Sequence, residues 1–167
     1  VAGLSFQELK AMMKEEVKLR AIGLSVLTTL GELRSVRIFI LGEANRPGSY
    51  TVSSLSTITN ALFVSGGIKK TGSLRNIELK RNGKLVSTFD LYDLLLRGDT
   101  SDDVRVLPGD VIFVPPVGNT VGIGGEVKRS AIFELKDETT FADLVSLSGG
   151  FLPTTFLPAT KVNRIDT

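Results

Sequence analysis

A chain that repeats itself without a gap has to fold each copy in much the same way, and this chain does so. The first copy runs Ile40-Leu41-Gly42-Glu43-Ala44-Asn45-Arg46 and continues to Thr57-Ile58-Thr59-Asn60-Ala61-Leu62-Phe63-Val64-Ser65-Gly66-Gly67. The second runs Ile123-Gly124-Gly125-Glu126-Val127-Lys128-Arg129 and continues to Thr140-Phe141-Ala142-Asp143-Leu144-Val145-Ser146-Leu147-Ser148-Gly149-Gly150. The offset is 83 at the glutamates (126 − 43), the arginines (129 − 46) and the glycines (150 − 67), and it persists at Thr71/Thr154, Leu74/Leu157 and Arg81/Arg164. One structural unit used twice is therefore expected.

The periodicity within each copy indicates what that unit is. Val36, Ile38 and Ile40 alternate with Arg37 and Phe39, and Val121 and Ile123 hold the equivalent inner places. A period of two marks a strand with one face inward. Arg46-Pro47-Gly48 predicts a turn, with Pro47 fixing φ and Gly48 free to take a positive φ; the second copy has Ser130-Ala131 in place of Pro47-Gly48. Tyr50 and Val52 (Phe133 and Leu135 in the second copy) resume the alternation on a returning strand. Ser56 and Thr139 stand where N-cap hydroxyls would start two helices. Their apolar faces would be Ile58, Ala61 and Leu62, and Phe141, Leu144 and Val145. Each helix reaches a serine (Ser65, Ser148) and stops at a glycine pair, the chemistry of a left-handed C-cap.

After the first copy, Ile77–Arg81 and Leu85–Phe89 flank Asn82-Gly83, a strong hairpin signal. Asp90 is expected to cap a helix over Leu91–Arg97, with Gly98 just past its end. Pro108-Gly109 then leads into an apolar strand, Val111–Val114, closed by Pro115-Pro116. The second copy stops before any matching hairpin and is expected to be incomplete. Ahead of the repeats, Ser5 and Glu8 have capping-box spacing, and Leu4 can close on Leu9 as a hydrophobic staple. Phe6, Leu9, Met13 and Val17 share one helical face, Gly23 is expected to end that helix, and Leu24–Thr29 reads as a strand. Val1 is not an initiator methionine, so a segment of a longer protein is expected, with any targeting or membrane elements outside it.

Composition removes several chemistries. Histidine is absent, which takes away the usual general base at neutral pH and the commonest metal ligand. Cysteine is absent, which excludes disulfides and thiolate metal sites. Serines and threonines abound, but none stands with an activating partner, so a hydrolytic triad is not expected. A net charge of +2 with no basic stripe does not suit nucleic acid, and the absence of tryptophan leaves few flat platforms for sugar stacking. The Gly-Gly pairs follow helices instead of preceding them, which argues against a phosphate cradle.

Taken in order, these motifs carry a family resemblance. Two copies of a hydrophobic-x-Gly-Glu pattern, each followed by a Thr-hydrophobic pair and then a Gly-Gly pair, resemble soluble ligand-binding β-grasp (SLBB) domains. The middle segment, from Ser73-Leu74-Arg75-Asn76-Ile77 through Phe89-Asp90-Leu91 to Leu107–Pro116, resembles bacterial outer-membrane polysaccharide export proteins. The resemblance implies an α+β fold with two tandem β-grasp units. It divides the chain into 1–35, a helix-strand remnant of an N-terminal polysaccharide export domain; 36–116, the first SLBB domain; and 117–167, a second and incomplete one. It also implies a non-enzymatic conduit and docking module for capsule or exopolysaccharide, at the periplasmic face of the bacterial outer membrane. Self-association into a ring, an inner-membrane polysaccharide co-polymerase and the polysaccharide itself would be its partners, and no cofactor is implied. The alternative within the same fold is a module holding a discrete small ligand, an oligosaccharide or a corrinoid.

Three sets of residues are candidates for function. Glu43 with Arg46, and Glu126 with Arg129, read either as ion pairs that stabilise a turn or as rim contacts to saccharide or to a neighbouring subunit. Phe39 and Leu41 face outward where the second copy has Gly122 and Gly124, so they are either covered by the opening helix or form a subunit contact. Asp99, Asp102, Asp103 and Asp110 form a carboxylate-rich stretch, but they lack the bend glycine and closing glutamate of a calcium loop and read as a solvated turn.

Overall fold

The computed structural model describes residues 5–20 and 34–163. The chain falls into two compact units, residues 1–33 and 34–167. In the first unit, helix α1 spans Phe6–Arg20. The Ser5 N–H and hydroxyl both donate to the Glu8 carboxylate at 2.7 Å, and the Glu8 N–H returns to the Ser5 hydroxyl at 3.3 Å, which is the expected capping box. The Ser5 hydroxyl and N–H hold the Glu8 carboxyl below its ordinary range. The staple at Leu4, the stop at Gly23 and the strand at Leu24–Thr29 lie outside the described residues.

The second unit begins with five strands: β1 (Ser35–Gly42), β2 (Gly48–Ser53), β3 (Ile77–Arg81), β4 (Lys84–Phe89) and β5 (Val111–Val114). They form one sheet in the order β2-β1-β5-β3-β4. Neighbours are antiparallel except β1 and β5, which run parallel with Phe39 opposite Val111 and Gly42 opposite Val114. A parallel pair needs a long crossover, and helix α2 (Ile58–Val64) and the β3–β4 hairpin lie on that path. The result is an α+β fold, a β-grasp in which a mixed sheet holds one helix. Val36, Ile38 and Ile40 of β1 turn inward as the alternation predicts, against Ile112, Val114, Ile77, Leu79 and Phe89. Ile58, Ala61 and Leu62 of α2 close this core, where a fully buried Ile, Leu or Val side chain is worth about 1.5–3 kcal/mol.

The second repeat follows as β6 (Thr120–Ile123), β7 (Ala131–Glu134) and helix α3 (Phe141–Leu147). The 83-residue offset holds in three dimensions: α2 and α3 start at Ile58 and Phe141. The isolated bridges Ala44–Ile68 and Val127–Phe151 also correspond. Among the described residues a two-stranded sheet, β6-β7, belongs to the repeat of α3, and the apolar face of α3 is less covered. Phe141 is exposed, and Leu144 and Val145 are half-buried, whereas their counterparts on α2 are buried. The small core of Tyr92, Phe133 and Leu147 is completed partly by Leu74 and Leu96 from the first repeat.

Two local expectations are corrected. The N-caps are Thr57 and Thr140, one residue after Ser56 and Thr139. A capping box needs an acceptor at the third helical residue, and the side chains of Asn60 and Asp143 accept from the N–H groups of Thr57 and Thr140 at 3.1 and 2.9 Å. Counting from Ser56 or Thr139 would put Thr59 or Ala142 there, and neither has a side-chain carbonyl oxygen. Gly48 does not take a positive φ; it opens β2, and the left-handed residue is Gly42 at φ +81°. A Cβ at Gly42 would collide with the Val114 carbonyl, whose carbon would lie 3.0 Å away. Gly125 repeats this conformation at φ +91°, so the change from Pro47-Gly48 to Ser130-Ala131 leaves the left-handed position intact.

The remaining punctuation behaves as expected. Asn82 and Gly83, at φ +51° and +75°, form the two-residue turn between β3 and β4. Asp90 accepts the Tyr92 N–H at 2.9 Å, although the turn it begins becomes π-helical over Asp93–Arg97 before Gly98 ends it.

Candidate functional site

Within each repeat, the left-handed glycine at the end of the first strand aims the next residue, glutamate, at a loop. The Thr71 hydroxyl donates to the Glu43 carboxylate at 2.6 Å, and the Thr154 hydroxyl donates to Glu126 at the same 2.6 Å. Backbone bonds repeat as well: Asn45 N–H to the Gly67 carbonyl at 2.9 Å, and Lys128 N–H to the Gly150 carbonyl at 3.0 Å. The Glu–Arg ion pairs considered from the sequence are not formed. Lys69 is the cation beside Glu43, at 3.7 Å. Arg46 is exposed, and its carbonyl accepts the Tyr50 hydroxyl. Arg129 turns to the end of α3 and donates to the Leu147 carbonyl at 3.4 Å, a favourable place for a cation. Glu43 and Glu126 are thus loop ties, while Arg46 and Arg129 are exposed.

Phe39 and Leu41 are 38% and 41% exposed on the outer face of the sheet. Phe39 is registered against Val111 and Leu41 against Phe113, and the Lys80 ammonium lies 4.8 Å from the centre of the Phe113 ring. An apolar strip edged by a cation therefore crosses β1 and β5. At Gly122 and Gly124 of the second repeat an added Cβ would meet nothing within 4 Å.

The four aspartates do not converge. Asp99 accepts the Ser101 N–H at 2.9 Å, and hydrogen bonds from Ser101 hold its carboxyl below the ordinary range. Asp103 accepts the Thr57 hydroxyl and the Thr59 N–H, both at 2.9 Å, so it caps α2 from outside the helix. Asp110 is fully buried and receives two bonds from Arg81 at 2.8 Å and the Leu107 N–H at 2.8 Å. Asp102 is exposed, so only part of the stretch is a solvated turn. Among the described residues no group of three His, Cys, Asp or Glu side chains is placed to hold a metal ion.

The most concentrated polar feature was not anticipated. Arg75, 5% exposed, joins the two repeats. Its Nε donates to Asp90 at 3.1 Å, and its Nη1 donates to both Glu138 oxygens at 2.7 and 2.8 Å and to the Glu134 carbonyl at 3.1 Å. Its guanidinium carbon also lies 4.9 Å from the centre of the Tyr92 ring. Around it, the Tyr92 hydroxyl accepts the Glu134 N–H at 3.0 Å. The buried Glu134 carboxylate accepts the N–H groups of Leu74 and Gly118 at 2.8 and 3.0 Å. Burial alone would push the Glu138 carboxyl up, but the Lys136 N–H and the Arg75 guanidinium together hold it below the usual value. A single arginine in the sequence gives no sign of this, because its acidic partners lie 15 and 63 residues away.

Comparison with known proteins agrees with the repeated fold. The family described as "SLBB domain" matches residues 36–114 and again residues 120–160, together more than two thirds of the chain. Two polysialic acid transport proteins, both named KpsD and both from Escherichia coli, are 30% and 29% identical over 141 residues. Those matches cover 83% of this chain and 25% of each relative, so the chain spans about a quarter of the length of the curated relatives it matches. With a β-grasp sheet in the first repeat, the same turn and helix recurring in the second, and this register of similarity, the chain belongs to the SLBB-domain family of polysaccharide export proteins.

Proposed function

We propose that these residues form the periplasmic docking and conduit portion of a polysaccharide export protein at the bacterial outer membrane. The observation that carries this reading is the buried joint at Arg75. It makes one body of two SLBB repeats and fixes the spacing at which the paired strand-end turns are displayed. Such a body is suited to presenting surfaces, and bond chemistry has no obvious place in it. Residues 1–35 are the end of a preceding export domain, followed by SLBB domains over 36–116 and 117–167. The Phe39/Leu41 strip meets a neighbouring subunit in a ring, where heterologous contacts close upon themselves. The exposed Arg46 and Arg129 face the polymer or the next subunit, while Glu43 and Glu126 brace the adjoining loops through Thr71 and Thr154. An inner-membrane co-polymerase docks on the assembled ring.

The test is Phe39→Glu in the full-length protein that carries these residues. Sedimentation should show loss of complete rings, surface polysaccharide should fall, and the far-UV spectrum should be unchanged. A folded variant that still forms rings and exports normally would refute the strip as an interface. Saturable micromolar binding of an oligosaccharide by this chain alone would replace the conduit with a small-ligand module.

A further inference from the structure

The two repeats meet along a groove of about 410 Å³, within the range of about 300–1,000 Å³ that small-ligand sites occupy. Residues 68–74 of the first repeat form one side, and β6 and β7 of the second contribute Thr120, Ile132 and Glu134. Ile68, Leu74, Val117 and Ile132 give it apolar walls. Thr120 and Ile132 correspond to Arg37 and Ser49 (120 − 37 = 83 and 132 − 49 = 83), and both of these are exposed in the five-stranded sheet of the first repeat. A full sheet of that kind therefore leaves these positions open.

The polar groups at the groove have bonding capacity to spare. Tyr92 lines it and is 8% exposed. Its hydroxyl accepts the Glu134 N–H at 3.0 Å, but among the described residues its own O–H meets no acceptor. A buried donor in that state calls for a partner. Lys69 and Lys70 also line the groove. Lys69 lies 3.7 Å from Glu43, whereas Lys70 is exposed and has no partner among the described residues. Glu134 is the carboxylate among the lining residues, and its two oxygens already accept the Leu74 and Gly118 N–H groups at 2.8 and 3.0 Å. What is left over is a phenol and an ammonium, both of which bond best to an anionic oxygen.

We propose that this groove is a subsite for one carboxylated sugar residue of the polymer. The sugar carboxylate takes the Tyr92 O–H and the Lys70 ammonium, and the C–H face of the ring lies on Val117 and Ile132. A sugar acid carries an apolar face and a charged edge in a single ring, which matches a groove whose apolar walls and donors stand side by side. The inference rests on the export role proposed above, which supplies a saccharide as the ligand. Affinity is about millimolar, because a conduit has to release each residue it binds.

The test is a ligand-observed NMR titration of the full-length protein that carries these residues. The probes are methyl β-D-glucuronide and methyl β-D-glucoside, which differ only in a carboxylate against a hydroxymethyl group. The glucuronide should bind about tenfold more tightly, the scale of one charge-assisted hydrogen bond. Lys70→Gln and Tyr92→Phe should each weaken the glucuronide about tenfold and leave the glucoside nearly unchanged. Tyr92→Phe also takes the acceptor from the Glu134 N–H, so the exposed Lys70→Gln, with an unchanged far-UV spectrum, is the decisive variant. Equal binding of the two glycosides, no saturable binding of the glucuronide, or binding that survives Lys70→Gln would overturn the site. Butyrate binding as tightly as the glucuronide would reduce it to a plain anion site and refute the sugar. None of these readouts involves ring assembly or surface polysaccharide, so the subsite can fail while the export role stands, and the Phe39→Glu result judges that role separately.

Discussion

Replacing Arg75 with methionine should loosen the joint between the repeats and destabilise the second unit measurably. The substitution keeps much of the side-chain length but removes the cation that Asp90 and Glu138 share, and those carboxylates are only 5% and 11% exposed. Breaking a buried pair by removing one partner costs about 3–5 kcal/mol, because the other charge is left desolvated. Here Lys136 still lies 3.5 Å from Asp90, and the Lys136 N–H still serves Glu138, so the lower end, about 3 kcal/mol, applies. For a chain of this size that is a fall of roughly 6–12 °C in Tm. Calorimetry and urea titration of wild type, Arg75→Met and Arg75→Lys measure it. Lysine restores the charge without the planar fork that reaches Asp90 and Glu138 together, so it should recover only part of the loss. The double variant Arg75→Met/Glu138→Gln should be less damaged than the sum of its parts, since the glutamine no longer buries a charge. If Arg75→Met melts within about 0.5 kcal/mol of wild type, a range typical of surface changes, the joint contributes no stability and the reasoning fails.

Acid should act on the same joint. The folded Glu138 carboxyl sits below its ordinary value, so its stabilisation is present above the unfolded pKa and is lost as pH falls through the folded one. Urea midpoints should decline below about pH 4.5, near the unperturbed carboxylate value, and Glu138→Gln should flatten that decline; an unchanged slope would count against it. Leu62→Asp should abolish the first repeat, because Leu62 is 5% exposed inside the α2 core, whereas Leu144→Asp on half-buried α3 should be milder. Equal circular-dichroism melts for the two would contradict that ranking. Gly42→Ala should cost more than Gly125→Ala: both carry about 1–2 kcal/mol of left-handed strain, but only Gly42 also faces the Val114 carbonyl. Chemical denaturation of the two variants compares them directly.

The ungapped offset and the two periodicities were sufficient to determine the repeated unit, its inward strand faces, the Asn82-Gly83 hairpin and the α+β class. These features are local: alternation, turn chemistry and helix stops act over a few residues, and a repeated pattern repeats their outcome. Even local reasoning misplaced both helix starts by one residue, because the decisive acceptors, Asn60 and Asp143, lie three residues further on. The candidate sites were legible only as residue types. Glu43 and Glu126 turned to threonines 28 residues away instead of to the nearby arginines, because a left-handed glycine redirects the chain just before each glutamate. The aspartates parted into a local turn, a helix cap and a buried arginine partner for the same reason, since each answers to whatever donors the fold brings near. Arg75 and its partners carry no local signal at all. A buried cation is tolerated only where carboxylates from distant segments converge on it, and only the tertiary structure brings Asp90 and Glu138 to one guanidinium.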